Sequence, residues 1–277
     1  ILGLFIAQQY VLKQLKSDDV LDVSALDEAS KIIIKTTDLM VIRNPYVILG
    51  LVIIAVFVLF LIVKMPNSKD DVFNENIGKT VKRLFNNKDY SNGVVAQVLY
   101  VGAQIMFWTY IYQYAEGIGI DSVTAGYYQM AAFVLFTVGR ATGTYLLRFI
   151  NAGRLLMIFS LFAIGCTIGV ILISSILGLY CLVGVSFFMS LMFPTIYGIA
   201  LGGLTEDESK IGSAGLVMAI VGGALMPKLQ GMIIDLGGYG VNDINIWGVS
   251  EVNLSFALPT FCFLFITFFG LKSSVKK

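Results

Sequence analysis

Long apolar runs separated by shorter polar stretches dominate the hydrophobic pattern of this chain. A helix needs about 20 residues to cross the roughly 30 Å hydrocarbon core of a bilayer. The complete apolar runs of about this length are 45–63, 93–115, 123–147, 155–176, 178–203, 211–236 and 253–271. The pattern therefore predicts an all-α membrane protein with seven complete spans. The run over residues 1–12 is too short to span, and we interpret the chain as a fragment that begins midway through a helix.

Composition supports the membrane assignment and excludes several kinds of chemistry. Of the 277 residues, 57% are hydrophobic and only 13% are charged, with a mean hydropathy of +0.83. The chain has no histidine, and its three cysteines all lie in apolar runs. No metal cluster, disulfide framework or nucleophile–base pair is therefore predicted. A formal charge of +1 gives no case for a nucleic-acid partner. We also expect no cofactor, no metal and no enzymatic activity.

Two longer polar segments interrupt the apolar pattern. Residues 13–44 carry mixed charge, and Ser24 to Asp27 resemble a capping box that opens a short helix. Residues 64–92 are rich in Lys and Arg, and four apolar side chains share a helical face opposite them, which is typical of an interfacial helix. These side chains are Ile77, Val81, Leu84 and Phe85.

The distribution of Lys and Arg predicts the orientation and the domain organisation. The connections without Lys or Arg are those near residues 116–122, 174–178 and 236–250. By the positive-inside rule the alternate connections, which carry basic residues, are cytoplasmic. A long cytoplasmic linker followed by six spans suggests the second half of a two-lobed transporter. The predicted parts are the end of a first lobe (1–63, with an extracytoplasmic loop at 13–44 and a helix at 45–63), a cytoplasmic linker (64–92), a six-helix lobe (93–271) and a cytoplasmic tail (272–277).

The run from Gly93 to Glu116 carries polar and aromatic residues that a purely lipid-facing helix would lack. At 100° per residue, several of them fall within one narrow arc. They are Gln97, Tyr100, Gln104 and Trp108, with Tyr112 at the edge of the arc. Unpaired amides are costly in hydrocarbon, so this face is predicted to look onto a water-filled or substrate-filled interior. The alternative is interhelical packing in which the amides bond neighbouring helices.

Arg140 and Pro194 mark two further spans. Arg140 lies about two turns inside the predicted cytoplasmic end of its span. An intramembrane arginine either reaches the interface and ties helix ends together or contacts a substrate or gate. Pro194, followed by Tyr197, predicts a kinked helix whose freed carbonyls need cover.

The glycine-rich span over residues 211–236 predicts another weak point. Gly222 and Gly223 followed by Pro227 should loosen the helix near its middle, where transporters place sites and hinges. Lys228 follows this break, either as a cation facing a cavity or as a lysine that reaches the outer interface beside Asp235.

No carboxylate is predicted deep within a span. The acidic residues nearest to the spans stand at span ends, namely Glu116, Asp121, Asp235 and Glu251. A proton-coupled carrier needs a titrating group. If this protein couples to protons, we expect the coupling residue before Ile1.

Several motifs, taken in order, resemble the fucose–galactose–glucose:proton symporter family of the major facilitator superfamily, and its fucose-transporting members above all. They are Asn44-Pro45-Tyr46, Gln97–Gln104 with Trp108-x-Tyr110, Gly139-Arg140-x-Thr142-Gly143-Thr144, Phe188-Met189-Ser190 with Pro194-Thr195-Ile196, and Gly212-Ser213 with Gly222-Gly223. The resemblance implies twelve helices in two lobes. This chain would hold the C-terminal six-helix lobe and the last one and a half helices of the N-terminal lobe.

The resemblance implies proton-coupled transport of L-fucose or a related hexose by alternating access, with the sugar and a proton as partners in a lipid environment. We expect a monomer with several spans in the inner membrane. The expected sugar-binding residues are Gln97, Tyr100, Gln104, Trp108, Tyr112 and Tyr197. The expected gating or structural residues are Arg140, Arg148, Arg154, Pro194, Gly222, Gly223, Pro227 and Lys228, with Arg148 and Gly153-Arg154 similar to a degenerate copy of the superfamily's cytoplasmic loop motif.

Gln104 favours fucose, because members that take glucose and galactose tend to have glutamate at this position. Two residues depart from the family pattern and leave the sugar open. Phe193 stands where the fucose carriers have tyrosine, and Lys228 stands where apolar residues are usual. The alternatives are uptake of glucose, galactose or another sugar on the same scaffold, or a membrane scaffold or receptor without transport.

Overall fold

The computed structural model describes residues 28–63, 77–238, 244–246 and 248–275. The predicted partial helix at 1–12, the capping box at 24–27 and residues 64–76 of the linker lie outside the described residues. The chain divides into two compact units, residues 1–73 and residues 74–277.

The described residues of the first unit form a long helix, α1, which extends from Glu28 to Ile62. The sequence pattern placed a loop up to residue 44 and the start of this helix at Pro45, whereas the helix begins earlier and carries Pro45 inside it. The hydroxyls of Thr36 and Thr37 donate to the carbonyls of Ile32 and Ile33 within the helix, at 2.7 and 2.8 Å. Polar side chains that bond along their own helix do not end it, so the mixed charge of residues 28–44 was a poor signal for a loop.

The second unit is built from helices joined by short connections. The helices are α2 (Ile77–Asn86), α3 (Lys88–Thr109), α4 (Ile111–Gly117), α5 (Ser122–Leu146), α6 (Ala152–Leu172), α7 (Ile176–Met189), α8 (Met192–Leu201), α9 (Glu206–Met218), α10 (Gly222–Ile234), α11 (Glu251–Ser255) and α12 (Ala257–Val275). Single 3₁₀ turns follow α9 at Ala219–Val221 and α10 at Asp235–Gly237. A small antiparallel hairpin pairs β1 (Asn245–Ile246) with β2 (Val249–Ser250) before α11.

Polar residues at helix starts explain where most of these helices begin. A side-chain oxygen just before each start accepts a hydrogen bond from the first turn and so satisfies a backbone N–H that the helix cannot. The capping residues are Asn87, Asp121, Asn151, Ser175, Thr205 and Ser250. Thr205 and Glu208 form a complete capping box at the start of α9.

Several spans consist of two helices joined at a break. The axes of α3 and α4 differ by 41° at Tyr110. A turn at Ser190 and Leu191 separates α7 from α8 just before Pro194, and the 3₁₀ turn at Ala219–Val221 separates α9 from α10 just before Gly222. Both breaks lie directly N-terminal to the residues that predicted them. A proline cannot donate to the carbonyl four residues earlier, so it disturbs the turn that precedes it.

Five stretches of the described residues are long and apolar enough to cross a membrane, or six if α3 and α4 form one bent span. They are Ile32–Ile62, Ala152–Leu172, Ile176–Leu201, Glu206–Gly237 and Glu251–Val275, with the bent pair Lys88–Thr109 and Ile111–Gly117. The predicted span at 123–147 coincides with α5, which has 25 residues. It is not among these stretches, and it carries Gln129, Arg140 and several threonines.

Helix α3 lies at the centre of the second unit and packs against α8, α10 and α12. Its residues Ala96, Ala103, Met106 and Phe107 have no exposed surface. Small residues bring the helices close together, since a Cβ at Gly222 would overlap the carbonyl oxygen of Val98 on α3. The core therefore depends on close backbone approach as well as on apolar side chains.

We expect Gly222→Ala to destabilise the lobe, because the new methyl group would meet the Val98 carbonyl carbon 2.8 Å away. Overpacking of this kind costs about 1–3 kcal/mol. Gly165→Ala is the matched control, because no atom lies within 4 Å of the position its Cβ would take. Thermal unfolding of the full-length protein in detergent should show a lower midpoint for Gly222→Ala only. Equal midpoints for the two variants would contradict the close crossing of α3 and α10.

Candidate functional site

Four tyrosines along α3, α4 and the bend between them donate their hydroxyl groups to backbone carbonyls of other helices or helix ends. The pairs are Tyr90 with Gly212 (3.0 Å), Tyr100 with Met189 (3.0 Å), Tyr110 with Pro227 (2.6 Å) and Tyr114 with Ile173 (2.5 Å). The carbonyl of Met189 lies inside the stretch Ile176–Leu201, where bulk water is not available as an alternative partner. These tyrosines therefore tie α3 and α4 to α9, α7, α10 and the end of α6.

The break between α7 and α8 has two donors from other helices. Pro194 has no N–H for the carbonyl of Ser190, four residues earlier. The Nε of Arg140, on α5, donates to this Ser190 carbonyl at 3.3 Å. The hydroxyl of Tyr100 donates to the neighbouring carbonyl of Met189. The freed carbonyls that Pro194 predicted are thus covered by a tyrosine and an arginine.

Two glycines on α5 allow this contact. A Cβ at Gly139 would overlap the carbonyl oxygen of Phe187 and would lie 2.6 Å from the hydroxyl of Ser190. A Cβ at Gly143 would lie within 3.1 Å of three side-chain atoms of Leu191. The motif from Gly139 to Gly143 therefore docks α5 directly onto the break, with Arg140 between the two glycines.

Aromatic side chains of α3 and α5 pack together beside Arg140. The ring of Trp108 lies 4.4 Å from Phe133 and 5.2 Å from Phe136, between ring centroids. The guanidinium carbon of Arg140 lies 5.2 Å from the centroid of Phe136, which is the geometry of a cation–π contact. The indole N–H of Trp108 points to the Ser186 hydroxyl at 3.4 Å.

A second set of aromatic rings lies where α8 begins after the break. Phe193 packs edge-on against Tyr100, with 6.1 Å between ring centroids, and lies nearly parallel to Tyr197 at 6.4 Å. Phe193 and Tyr197 are partly exposed, whereas Tyr100 is fully buried. We call the partly exposed rings of the two sets the aromatic face. Its members are Trp108, Phe133, Phe136, Phe193 and Tyr197.

The predicted polar stripe of α3 meets this face but is not uniformly accessible. Gln104 is partly exposed and lies one turn from both Tyr100 and Trp108. Tyr112 is partly exposed on α4, beyond the bend. Gln97 is fully buried, and within the described part of the chain neither its Oε1 nor its Nε2 has a hydrogen-bond partner.

The remaining predicted residues lie away from the aromatic face or serve packing. Arg148 and Arg154 are exposed at the connection between α5 and α6. Gly222 and Gly223 pack against α3, and the carbonyl of Pro227 accepts the bond from Tyr110. Lys228 and Asp235 are both exposed, and they form no ion pair with each other among the described residues.

Phe133 and Phe136 were not predicted as site residues, although their spacing in the sequence carries a signal. Together with Arg140 they follow the i, i+3, i+7 spacing of a single helical face. Two aromatic residues that share a helical face with an intramembrane arginine indicate a face that contacts other helices rather than lipid.

Carboxylates of the second unit stand near helix ends wherever the structure describes them. Glu251 is the first residue of α11 and is fully buried, and its Oε2 accepts a bond from the backbone N–H of Gly237 at 3.1 Å. Asp121 caps α5, where the hydrogen bonds from Thr124 lower the pKa of its carboxyl group. Among the described residues, no cluster of three or more His, Cys, Asp or Glu is arranged to hold a metal ion.

The sequence model of the Major Facilitator Superfamily matches residues 32–227. This chain therefore belongs to the major facilitator superfamily and is a multi-pass membrane protein, which confirms the family and fold class expected from its motifs.

The matches to known relatives and to a solved structure cover almost the whole chain. The chain is 46% identical to the L-fucose-proton symporter of Haemophilus influenzae, over 99% of this chain and 63% of that protein. It is 27% identical to a glucose/galactose transporter of Brucella abortus, over 84% of this chain and 54% of that protein. A crystal structure of the transporter FucP in the outward conformation matches with a TM-score of 0.70 and 26% identity, over 99% of this chain and 64% of that chain. The chain spans about three fifths of the length of the fucose symporters it matches.

We expect Tyr100→Phe to lower the thermal stability of the protein, because the carbonyl of Met189 would lose its hydroxyl donor. A buried group left without its partner costs about 1–3 kcal/mol. Tyr145→Phe is the control, since Tyr145 is exposed on α5. The unfolding midpoint of the full-length protein, followed by tryptophan fluorescence, should fall by a few degrees for Tyr100→Phe and remain unchanged for the control. No difference between the two would mean that the hydroxyl of Tyr100 does not support the break.

Proposed function

We propose that this protein transports L-fucose or a related hexose together with a proton across the inner membrane, as a monomer and by alternating access. The observation that carries the proposal is the aromatic face beside Gln104, in a chain that is 46% identical to an L-fucose-proton symporter. Alternating access means that two lobes expose one central site to each side of the membrane in turn.

The chemistry of the aromatic face suits a sugar. Aromatic rings offer flat apolar surface to the C–H groups of a hexose, and an amide both donates to and accepts from its hydroxyls. In our proposal Trp108 and Tyr197 supply the rings and Gln104 supplies the amide, with Tyr112 at the far end of the stripe. Trp108 is already fixed by Phe133, Phe136 and Ser186, so little side-chain freedom would be lost on binding.

Gln97 and Tyr100 have different proposed roles because both are fully buried. Tyr100 supports the site from behind, through the Met189 carbonyl and the ring of Phe193. Burying an amide without partners is costly. We therefore propose that Gln97 gains partners, sugar hydroxyls among them, in another conformation of the transport cycle.

The described carboxylates of residues 77–275 stand near helix ends. We therefore propose that the carboxylate that binds the coupled proton lies outside this range. One proposed gating element is the helix break from Ala219 to Gly223, with Pro227 and Lys228 after it. The other is the pair of exposed arginines, Arg148 and Arg154, at the connection between α5 and α6.

Gln104→Ala in the full-length protein should weaken sugar uptake. Loss of hydrogen bonds to sugar hydroxyls is expected to raise the KM for L-fucose about tenfold, which corresponds to about 1.4 kcal/mol. Val95→Ala is the control, because Val95 is exposed on the opposite side of the same helix. The measurement is the initial rate of labelled L-fucose uptake into proteoliposomes. Unchanged KM and rate for Gln104→Ala would contradict the site.

The second candidate is a glucose or galactose carrier, which is favoured by the 27% identity to the Brucella transporter. A competition panel against labelled L-fucose separates the two. We expect unlabelled L-fucose to compete and D-glucose and D-galactose to compete weakly, because Gln104 stands where the glucose and galactose members tend to have glutamate. Strong competition by D-glucose or D-galactose would favour the second candidate.

A further inference from the structure

We propose that Arg140 is a positioning residue that replaces the backbone donor missing at Pro194. It thereby fixes the position of the rings on α3 and α5 relative to the rings on α8. This inference rests on the proposed function for its role in transport. It assigns to Arg140 a partner within the protein, the carbonyl of Ser190, rather than a contact with the sugar.

Pro194 leaves one backbone carbonyl without its regular donor. In an uninterrupted helix the N–H of residue 194 would bond the carbonyl of Ser190, and proline has no N–H. Pro194 is the third residue of α8 and so lies in its first turn, where proline is tolerated, and its ring is exposed. The carbonyl of Ser190 is therefore left over by the fold, and the charged Nε donor of Arg140 covers it at 3.3 Å.

Arg140 contacts both the first set of rings and the break that precedes the second set. Its guanidinium group lies over Phe136, which packs against Trp108. Its Nε bonds the break that leads directly into Phe193 and Tyr197. One side chain thus connects the α3–α5 part of the aromatic face to the α8 part.

Close packing of α5 against the end of α7 brings Arg140 to the break. Gly139 lets the backbone of α5 touch the carbonyl of Phe187, one turn before the break. A planar guanidinium can donate to a carbonyl while it lies on a ring, whereas the compact ammonium group of lysine does not reproduce both contacts. Arg140→Lys should therefore behave more like Arg140→Met than like the natural protein.

The test is a double-mutant cycle between Arg140→Met and Pro194→Ala in the full-length protein in proteoliposomes. Alanine at position 194 supplies the N–H that the Ser190 carbonyl lacks, so the need for Arg140 should fall. We expect Arg140→Met alone to reduce the rate of L-fucose uptake about tenfold, and to reduce it less than about threefold when Pro194→Ala is present.

A second proline provides the matched control. Pro259 lies in α12, away from the break, and Pro259→Ala should leave the effect of Arg140→Met at about tenfold. An equal effect of Arg140→Met in the natural, Pro194→Ala and Pro259→Ala backgrounds would overturn the proposal and would assign Arg140 to direct contact with the sugar or a gate.

Thermal unfolding of the same proteins separates this inference from the proposed function. If the natural protein takes up no sugar, the proposed function fails, but the coupling is still read from the unfolding midpoints. The decrease caused by Arg140→Met should then be smaller in the Pro194→Ala background than in the natural or Pro259→Ala backgrounds. Equal decreases in all three backgrounds would overturn the inference by itself.

Discussion

A backbone carbonyl in the interior of a membrane protein must find a donor within the protein, and this requirement organises the second unit of the chain. Broken helices create such carbonyls, because the regular i to i+4 bonds stop at the break. Here the hydroxyl groups of Tyr100 and Tyr114 reach such carbonyls at the end of α7 and just beyond the end of α6, and those of Tyr90 and Tyr110 bond carbonyls within α9 and α10. A buried carbonyl left without its donor costs about 1–3 kcal/mol, so the donors at a break stabilise it.

The same contacts shape the candidate site. At the break between α7 and α8, Tyr100 and Arg140 bond neighbouring carbonyls, and each also contacts an aromatic ring, Phe193 and Phe136 respectively. The contacts that stabilise the break thus also orient the rings of the proposed sugar site. A transporter that moves between two conformations needs such a site to keep its shape while the surrounding helices shift.

The sequence predicted the membrane class, the family and most helix positions, because apolar length and helical spacing are local signals. Pro194 likewise predicted a kink and freed carbonyls. The donors were not predictable, because Arg140 and Tyr100 lie 50 and 89 residues from the carbonyls they bond. For the same reason spacing placed Gln97 and Gln104 on one stripe, but only the packing of other helices buries Gln97 and leaves Gln104 partly exposed.

Hydrogen–deuterium exchange of the full-length protein in lipid nanodiscs, with and without saturating L-fucose, tests the central claim most directly. The claim is that the sugar binds where α3 meets the break of α7 and α8. Peptides covering residues 97–112 and 186–201 should exchange more slowly with L-fucose present, whereas a peptide covering residues 155–170 should not change. Unchanged exchange in the first two segments, or protection confined to the third, would contradict this account.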